Sequence, residues 1–219
     1  FDVEILRRFI RAYQEVRPLT IGELWAVSIT LRIVLIEDLR RVATRIEQSL
    51  AGRQQADNLA DRLLGIGDRL AELLPAILAE RQALPLSDAF AVQLVYRLRD
   101  QNSGVALALT WLDAQLAEQG TTTDAVVRRE QERQVTATLT VRNIITSMRL
   151  ISEVDWLELF ERMCPVDDVL SADSAFRAMD FPTRNLYRTA IEEMARGSRW
   201  SEIEIAAAAV GFAKRGESD

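Results

Sequence analysis

The 219-residue sequence contains no histidine and only one cysteine, Cys164. Without histidine, the Ser-His-Asp and Cys-His forms of nucleophilic catalysis are excluded, as are zinc sites with histidine ligands. A single cysteine excludes an internal disulfide and a cysteine metal cluster. Because Cys164 has only Arg162 as a nearby basic residue, we expect a buried, inert thiol. We therefore predict that this chain holds no catalytic residue, metal or cofactor of its own.

Long apolar runs are also missing. The most apolar stretch, residues 25–36, is interrupted by Arg32, and it is shorter than the roughly 20 residues that a membrane-spanning helix needs. The N-terminus shows no signal-peptide pattern. We therefore expect a chain without a transmembrane segment and of cytoplasmic character, which could be a piece of a larger protein.

Basic residues give no excess of positive charge. The formal charge is −6, from 27 Lys+Arg against 33 Asp+Glu. Residues 152–219 hold 14 acidic and 8 basic residues, so that the first 151 residues hold 19 of each. A nucleic-acid partner is disfavoured, because such proteins carry a basic surface that neutralises phosphates.

Helical patterns occupy nearly the whole sequence, in which glycine (9) and proline (5) are few. No segment alternates with period two, so we predict an all-α fold. The longest pattern begins at a capping box formed by Thr20 and Glu23. Its apolar stripe comprises Leu24, Val27, Leu31, Leu35, Leu39, Val42 and Ile46. Because Ile29, Ile33 and Val34 make the other faces apolar too, we expect this part of the helix to be enclosed by neighbours.

A second long helix is predicted from Asp124. Its stripe comprises Ala137, Val141, Ile144, Met148 and Ile151. The register matches that of the first long helix, so we predict a multi-helix bundle in which these two helices pack roughly antiparallel at the centre. Gly52 leaves open whether the first is one helix or two helices with a bend. Shorter helices follow, among them one over 70–83 and a last one opened by a Ser201–Glu204 capping box. We expect a single domain over 1–219, with about 180–214 as a potential appendage.

Two groups of acidic residues have spacings that could serve chemistry. Asp155 and Glu158 lie one helical turn apart, which would suit acid–base work in a cleft. Acids near a helix start are more commonly a solvated face that the helix dipole stabilises, and we favour that interpretation. Asp167 and Asp168 could bind a divalent cation, but adjacent helical residues point in different directions and no further ligand is visible.

Four arginines and one tryptophan have the chemistry of a binding site. Arg142 and Arg149 are seven residues apart, and Arg184 and Arg188 are four apart, so each pair shares a helical face. Each pair could hold a phosphate or carboxylate bidentately, or could form ion pairs within the protein, which we favour. Trp156 could offer a sugar-stacking face, although a packing role is commoner. The candidate binding residues are Arg142, Arg149, Asp155, Trp156, Arg184 and Arg188.

Four stretches carry longer motifs. They are PLTIGELWAVSITLRIVLIEDLRRVA (18–43), VRNIITSMRLISEVDWLELFERM (141–163), VDDVL (166–170) and MDFPTRNLYRTAIEEMARGS (179–198). These stretches resemble the N-terminal region of cyclic β-1,2-glucan synthases. The combinations ITSMRLIS-x-x-DW and MDF-x-TR-x-x-YR are the specific part. One departure is Cys164-Pro165, where the resemblance leads us to expect a small residue and then an aliphatic one.

The resemblance implies a parent protein that is a very large bacterial inner-membrane enzyme. Such an enzyme polymerises glucose from UDP-glucose into β-1,2 chains and then cyclises them, and the helical region precedes its membrane-embedded glycosyltransferase. The present sequence has no Asp-x-Asp metal motif and no glycosyltransferase α/β pattern. No catalytic residue of the family can therefore be transferred to it.

We accordingly interpret the chain as a non-catalytic scaffold on the cytoplasmic side of the bacterial inner membrane. Its expected partners are the remaining domains of the synthase. Two alternatives stay open. The chain could bind the β-1,2-glucan or its acceptor, with Trp156 beside Arg142, Arg149 and Asp155, which requires an accessible tryptophan face. It could also be an oligomerisation module in which the first long helix or the last helix pairs between chains.

Overall fold

The computed structural model is all-α, as predicted. It describes residues 1–65, 73, 76–77, 86–99, 106–172 and 175–216, and no strand occurs among them. The helices are α1 (Val3–Val16), α2 (Ile21–Gly65), α3 (Asp88–Leu98), α4 (Ala106–Glu118), α5 (Thr123–Glu153), α6 (Trp156–Met163), α7 (Pro165–Ser171), α8 (Phe181–Arg196) and α9 (Glu202–Gly216), with a 3₁₀ helix at Ala175–Ala178. Of the helix predicted over 70–83, only residues 73, 76 and 77 are described, and each is helical.

Capping boxes open α2 and α9 where the sequence predicts them. Before α2, the Thr20 hydroxyl accepts from the Glu23 amide at 3.1 Å, and the Glu23 carboxylate accepts from the Thr20 amide at 2.9 Å. Ser201 and Glu204 make the same reciprocal pair before α9. Both predictions are confirmed. Such caps can be predicted from the sequence because they depend only on residues a few positions apart.

Glu202 adds a cap to α2 from a distant part of the chain. Its Oε2 atom accepts a hydrogen bond from the Ile21 amide at 2.7 Å, and the residue is buried. Burial raises the pKa of the Glu202 carboxyl, and the charges of Glu192 and Glu23 act in the same direction, although the hydrogen bond from Ile21 opposes them. The first turn of α2 is thus tied to the first turn of α9.

Gly52 does not interrupt α2, which runs as one helix of 45 residues. The alternative of two helices is therefore wrong. A Cβ atom added at Gly52 would lie 2.6 Å from Ser87 Oγ and 3.4 Å from the Phe90 amide nitrogen. Ser87 is the N-cap of α3, and its Oγ accepts from the Phe90 amide at 3.2 Å. The glycine therefore permits the start of α3 to approach α2 closely.

The middle of α2 is not enclosed, contrary to the prediction. Ile29 and Ile33 are 56% and 58% exposed, and Val34 and Ile36 are also more than half exposed. Most of its buried residues lie towards its two ends: Ile21 and Leu24 near the start, and Ala56, Leu59, Ala60 and Leu63 near the end. A helical period shows which residues share a face, but burial depends on which elements pack there. Even so, no described helix combines the length and hydropathy that crossing a membrane requires.

The two long helices are neighbours in opposite orientation, as predicted. Ser49 and Arg53 of α2 each donate to Glu130 Oε1 of α5 at 3.0 Å. Further along α2, Leu59 and Leu63 share the core of unit 2 with Val126, which precedes Glu130 in α5. Contacts along α2 therefore proceed in the reverse order of the second long helix, as antiparallel packing requires.

The chain divides into two compact units. Unit 1 comprises residues 1–35 and 146–219, and unit 2 comprises residues 36–145. The core of unit 2 joins α2, α3, α4 and the start of α5. The core of unit 1 includes Ile191 of α8 and Ala206 of α9, so the last two helices are integral to that unit. The single domain predicted over residues 1–219 stays a prediction.

Candidate functional site

A buried arginine lies at the centre of unit 1. Arg188 of α8 is fully buried, and its guanidinium makes a bidentate contact with Asp167, with Nε at 2.8 Å from Oδ1. Arg188 Nη2 also lies 3.2 Å from Glu161 Oε1, and Arg184 Nη2 lies 2.8 Å from the same oxygen. Two arginines and two carboxylates thus form one network, which we call the Arg188 cluster.

Helix breaks and caps in the sequence bring these four residues together. The Cys164-Pro165 step ends α6 and starts α7, so Glu161 and Asp167 lie on different helices and both reach α8. Asp180 caps α8 by accepting from the Thr183 amide at 3.1 Å. Arg184 and Arg188 then follow one turn apart on the same face of α8.

Aromatic rings surround the Arg188 guanidinium. Its central carbon lies 5.1 Å from the Phe160 ring centroid, 5.2 Å from that of Phe181 and 6.0 Å from that of Phe176. Cation–π attraction stabilises such an arrangement, the more so when water is excluded. Trp25 extends the group, since its ring stacks on Phe160 with centroids 4.2 Å apart and an interplanar angle of 16°.

The Arg188 cluster is electrically balanced. Burial alone would lower the pKa of Arg188, but the hydrogen bonds and charge of Asp167 outweigh it and raise the pKa overall, so the residue stays charged. Its charge and that of Arg184 are matched by Glu161 and Asp167. Among the described residues, Arg188 Nη1 and Arg184 Nε are buried without a hydrogen-bond partner. The cluster therefore has two N–H groups without an acceptor, but it has no excess positive charge that would attract an anion.

Asp167 is not available for a metal ion, because Arg188 occupies both of its carboxylate oxygens. No group of three or more acidic or cysteine side chains suited to a metal occurs in the part of the chain that the structure describes. Cys164 is buried, as predicted. Burial, together with the charge of Asp167, raises the pKa of its thiol to about 12, so little thiolate forms at neutral pH.

A crevice next to the cluster is lined by two tryptophans. Leu24, Trp25, Val27, Ser28, Trp156, Phe160 and Met163 enclose about 80 Å³. Ligand pockets typically measure about 300–1,000 Å³, so this crevice is not a preformed sugar pocket. Trp156 is half-buried, and its indole N–H donates to the Ile151 carbonyl at 2.9 Å. Trp25, at 39% exposure, presents more of its ring to solvent.

The other predicted site residues do not join the cluster. Asp155 is the N-cap of α6 and accepts from the Glu158 amide at 3.0 Å. Arg149 is exposed, and its Nε lies 3.7 Å from Glu153 Oε1. Arg142 is exposed on α5 and belongs to unit 2, whereas the other five candidates belong to unit 1. Their role in binding stays a prediction.

Sequence reasoning missed most of the cluster. Glu161 has no sequence signal that sets it apart from the neighbouring acids Asp155 and Glu158, and Asp167 was considered only as a potential cation ligand. The sequence did contain one signal. Two arginines share a helical face, and their two charges are matched by one acid before the helix break at Pro165 and one acid after it. The surrounding phenylalanines gave no signal, since an aromatic residue on a helix is usually a core residue.

Comparison with known proteins relates the chain to a segment of a much longer protein. No protein-family model matches the chain. Over 207 residues, 94% of its length, the chain is 38% identical to cyclic beta-(1,2)-glucan synthase NdvB of Rhizobium meliloti (strain 1021). The chain spans 7% of the length of that relative. The resemblance to cyclic β-1,2-glucan synthases is thereby confirmed, for a segment that forms a small part of such an enzyme.

Proposed function

We propose that this chain is a non-catalytic helical scaffold of a cyclic β-1,2-glucan synthase. In this proposal its partners are the remaining domains of the enzyme, at the cytoplasmic side of the bacterial inner membrane. The similarity to a 7% segment of the Rhizobium meliloti synthase supports it, since most of that enzyme must lie outside a region of this size. Glucosyl transfer from UDP-glucose and cyclisation would belong to those other domains.

The observation that carries the proposal is that the four stretches which resemble cyclic β-1,2-glucan synthases meet at one place in the fold. Stretch 18–43 supplies Trp25, stretch 141–163 supplies Phe160 and Glu161, and stretches 166–170 and 179–198 supply Asp167 and Arg188. Phe160, Glu161 and Asp167 each contact the Arg188 guanidinium, and Trp25 stacks on Phe160. The motifs that relate this chain to the synthases therefore build a buried, charge-balanced core. That is a feature of a stable helical body rather than of an open ligand site.

The test is to disturb the cluster within the whole synthase. We expect Arg188→Met to lower the amount of intact enzyme in membranes and, with it, the glucosyl transfer from UDP-glucose. Arg196→Met is the matched control, because Arg196 is exposed on the same helix and pairs with the nearby Glu192. Glucosyl transfer by the isolated chain would refute the proposal, as would a full-length Arg188→Met enzyme with unchanged abundance and activity.

A second candidate function is glycan binding, which the exposed part of the Trp25 ring favours. Sugar rings stack on accessible aromatic faces, and Ser28 and Trp156 lie beside this one. The measurement is tryptophan fluorescence during titration with linear and cyclic β-1,2-glucans. Binding at the crevice predicts a saturable change that Trp156→Ala abolishes and Trp200→Ala, a control on an exposed residue, preserves. No response at millimolar glucan would leave the scaffold as the function.

A further inference from the structure

Helix α1 of unit 1 has a packed inner face and an exposed outer face. Its inner face packs on the unit through Leu6 and the buried Ile10, and Gln14 Nε2 donates to the Met163 carbonyl at 3.0 Å. Its outer face is apolar as well, with Ile5 at 65% and Phe9 at 67% exposure. Asp2 caps the helix through the amides of residues 4 and 5. The outer face is therefore held in a defined helical conformation before anything covers it.

The apolar residues of the outer face have a symmetric spacing. Ile5, Phe9, Ala12 and Val16 are separated by four, three and four residues, an order that is the same read from either end. Spacings of three and four make a seam along which two helices pair. When a second α1 lies antiparallel, Ile5 faces Val16 and the large Phe9 faces the small Ala12. Large residues against small ones allow side chains to interdigitate at such a seam.

Two residues of opposite charge lie beside this seam. Arg8 and Glu15 are both exposed, and neither forms a salt bridge with a residue that the structure describes. They lie seven residues apart on one side of the seam. In this antiparallel register, Glu15 of one copy lies on the same side of the seam as Arg8 of the other, two residues from the level position. The long arginine side chain spans that offset, so two opposite-charge contacts form at once. Both residues, with Ile5, Phe9, Arg11 and Ala12, line a shallow depression made of α1 residues alone.

We propose that α1 is the surface through which a second copy of this chain binds, the two α1 helices packing antiparallel about a two-fold axis. A surface that matches itself under a two-fold rotation is what a symmetric dimer interface requires. One pair of 14-residue helices buries less area than the roughly 1,600 Å² of a standard stable interface. The dimer is therefore weak and reversible. This inference is independent of the proposed scaffold function.

The experiment is sedimentation equilibrium of the whole 219-residue chain from micromolar to millimolar concentration. The average mass should rise from that of one copy towards that of two as concentration increases. Phe9→Glu should abolish the rise, since two buried carboxylates would face the seam. Circular dichroism checks that the variant still folds, which its exposure predicts. A mass of one copy throughout, or a dimer that Phe9→Glu leaves intact, overturns the proposal.

Charge reversal supplies a second, more specific test. Arg8→Glu or Glu15→Arg alone places like charges opposite each other twice, which should raise the dissociation constant roughly tenfold. The double variant Arg8→Glu/Glu15→Arg restores both opposite-charge contacts and should restore the affinity. Arg199→Glu is the control, because Arg199 is exposed in the same unit but lies outside α1. Failure of the double variant to recover would refute the antiparallel arrangement.

Discussion

Replacing Arg188 with methionine is expected to destabilise unit 1 by about 3–5 kcal/mol. Methionine keeps much of the aliphatic bulk, but Asp167 then remains as a buried carboxylate without its bidentate partner. Breaking a buried ion pair from one side costs about this much, because the remaining charge stays desolvated. Domains are typically stable by only about 5–15 kcal/mol. A large part of the fold's stability therefore depends on a single guanidinium.

The assay is urea unfolding followed by tryptophan fluorescence, with Arg196→Met as the matched variant on the exposed side of α8. Arg196 pairs with Glu192 one turn away, and such exposed pairs contribute little. The cause is isolated by the double variant Arg188→Met/Asp167→Asn. Removing the buried charge should recover part of the loss, with a coupling energy of about 1–3 kcal/mol between the two sites. The reasoning is refuted if Arg188→Met behaves like Arg196→Met, or if the two cluster substitutions are simply additive.

Three further predictions concern single positions. Gly52→Ala should lower the stability of unit 2 by about 1–3 kcal/mol in urea unfolding, since Ser87 Oγ cannot leave its capping position; a more stable variant would contradict this. Glu202→Gln keeps an acceptor for the Ile21 amide but removes a carboxyl with a raised pKa. Relative to the variant, the native protein should lose stability as pH rises above about 4.3; a difference in urea midpoint that stays constant with pH would refute this. Cys164 should resist thiol reagents at pH 7 until urea unfolds unit 1, and rapid native labelling would contradict its burial.

The sign of the Glu202 prediction follows from proton linkage. Because burial raises the pKa of this carboxyl in the folded chain, the folded state binds the proton more tightly than the unfolded state does. The resulting stabilisation is present below the unfolded pKa and is lost as pH rises through the folded pKa. Glutamine does not titrate, so this part of the pH dependence should vanish.

The features that the sequence predicts well are local ones. The Thr20–Glu23 and Ser201–Glu204 caps involve residues three positions apart, and both form as expected. Continuity of α2 through Gly52 was undecided, because a helical glycine costs only about 1 kcal/mol relative to alanine. The reason for that glycine, the N-cap of α3 lying against it, is a tertiary contact that no local pattern contains.

The candidate site was predictable only in part, for a similar reason. The spacing of Arg184 and Arg188 correctly indicates a shared face, and ion pairing was the favoured role. Which carboxylates pair with them depends on how α6, α7 and α8 pack, and Glu161 and Asp167 are more than 20 residues away in sequence. Likewise, the exposed middle of α2 has the same apolar period that a buried helix would have.

The continuity of α2 and α5 has a consequence for how the protein unfolds. Each helix contributes residues to both units, although each unit has its own core. Starting a helix is unfavourable by a factor of about 10⁻³, whereas extending one is nearly free. A folded unit therefore supplies its neighbour with two helices that are already nucleated. Loss of either core removes that advantage from the other, so the continuous backbone of these two helices couples the unfolding of the two units.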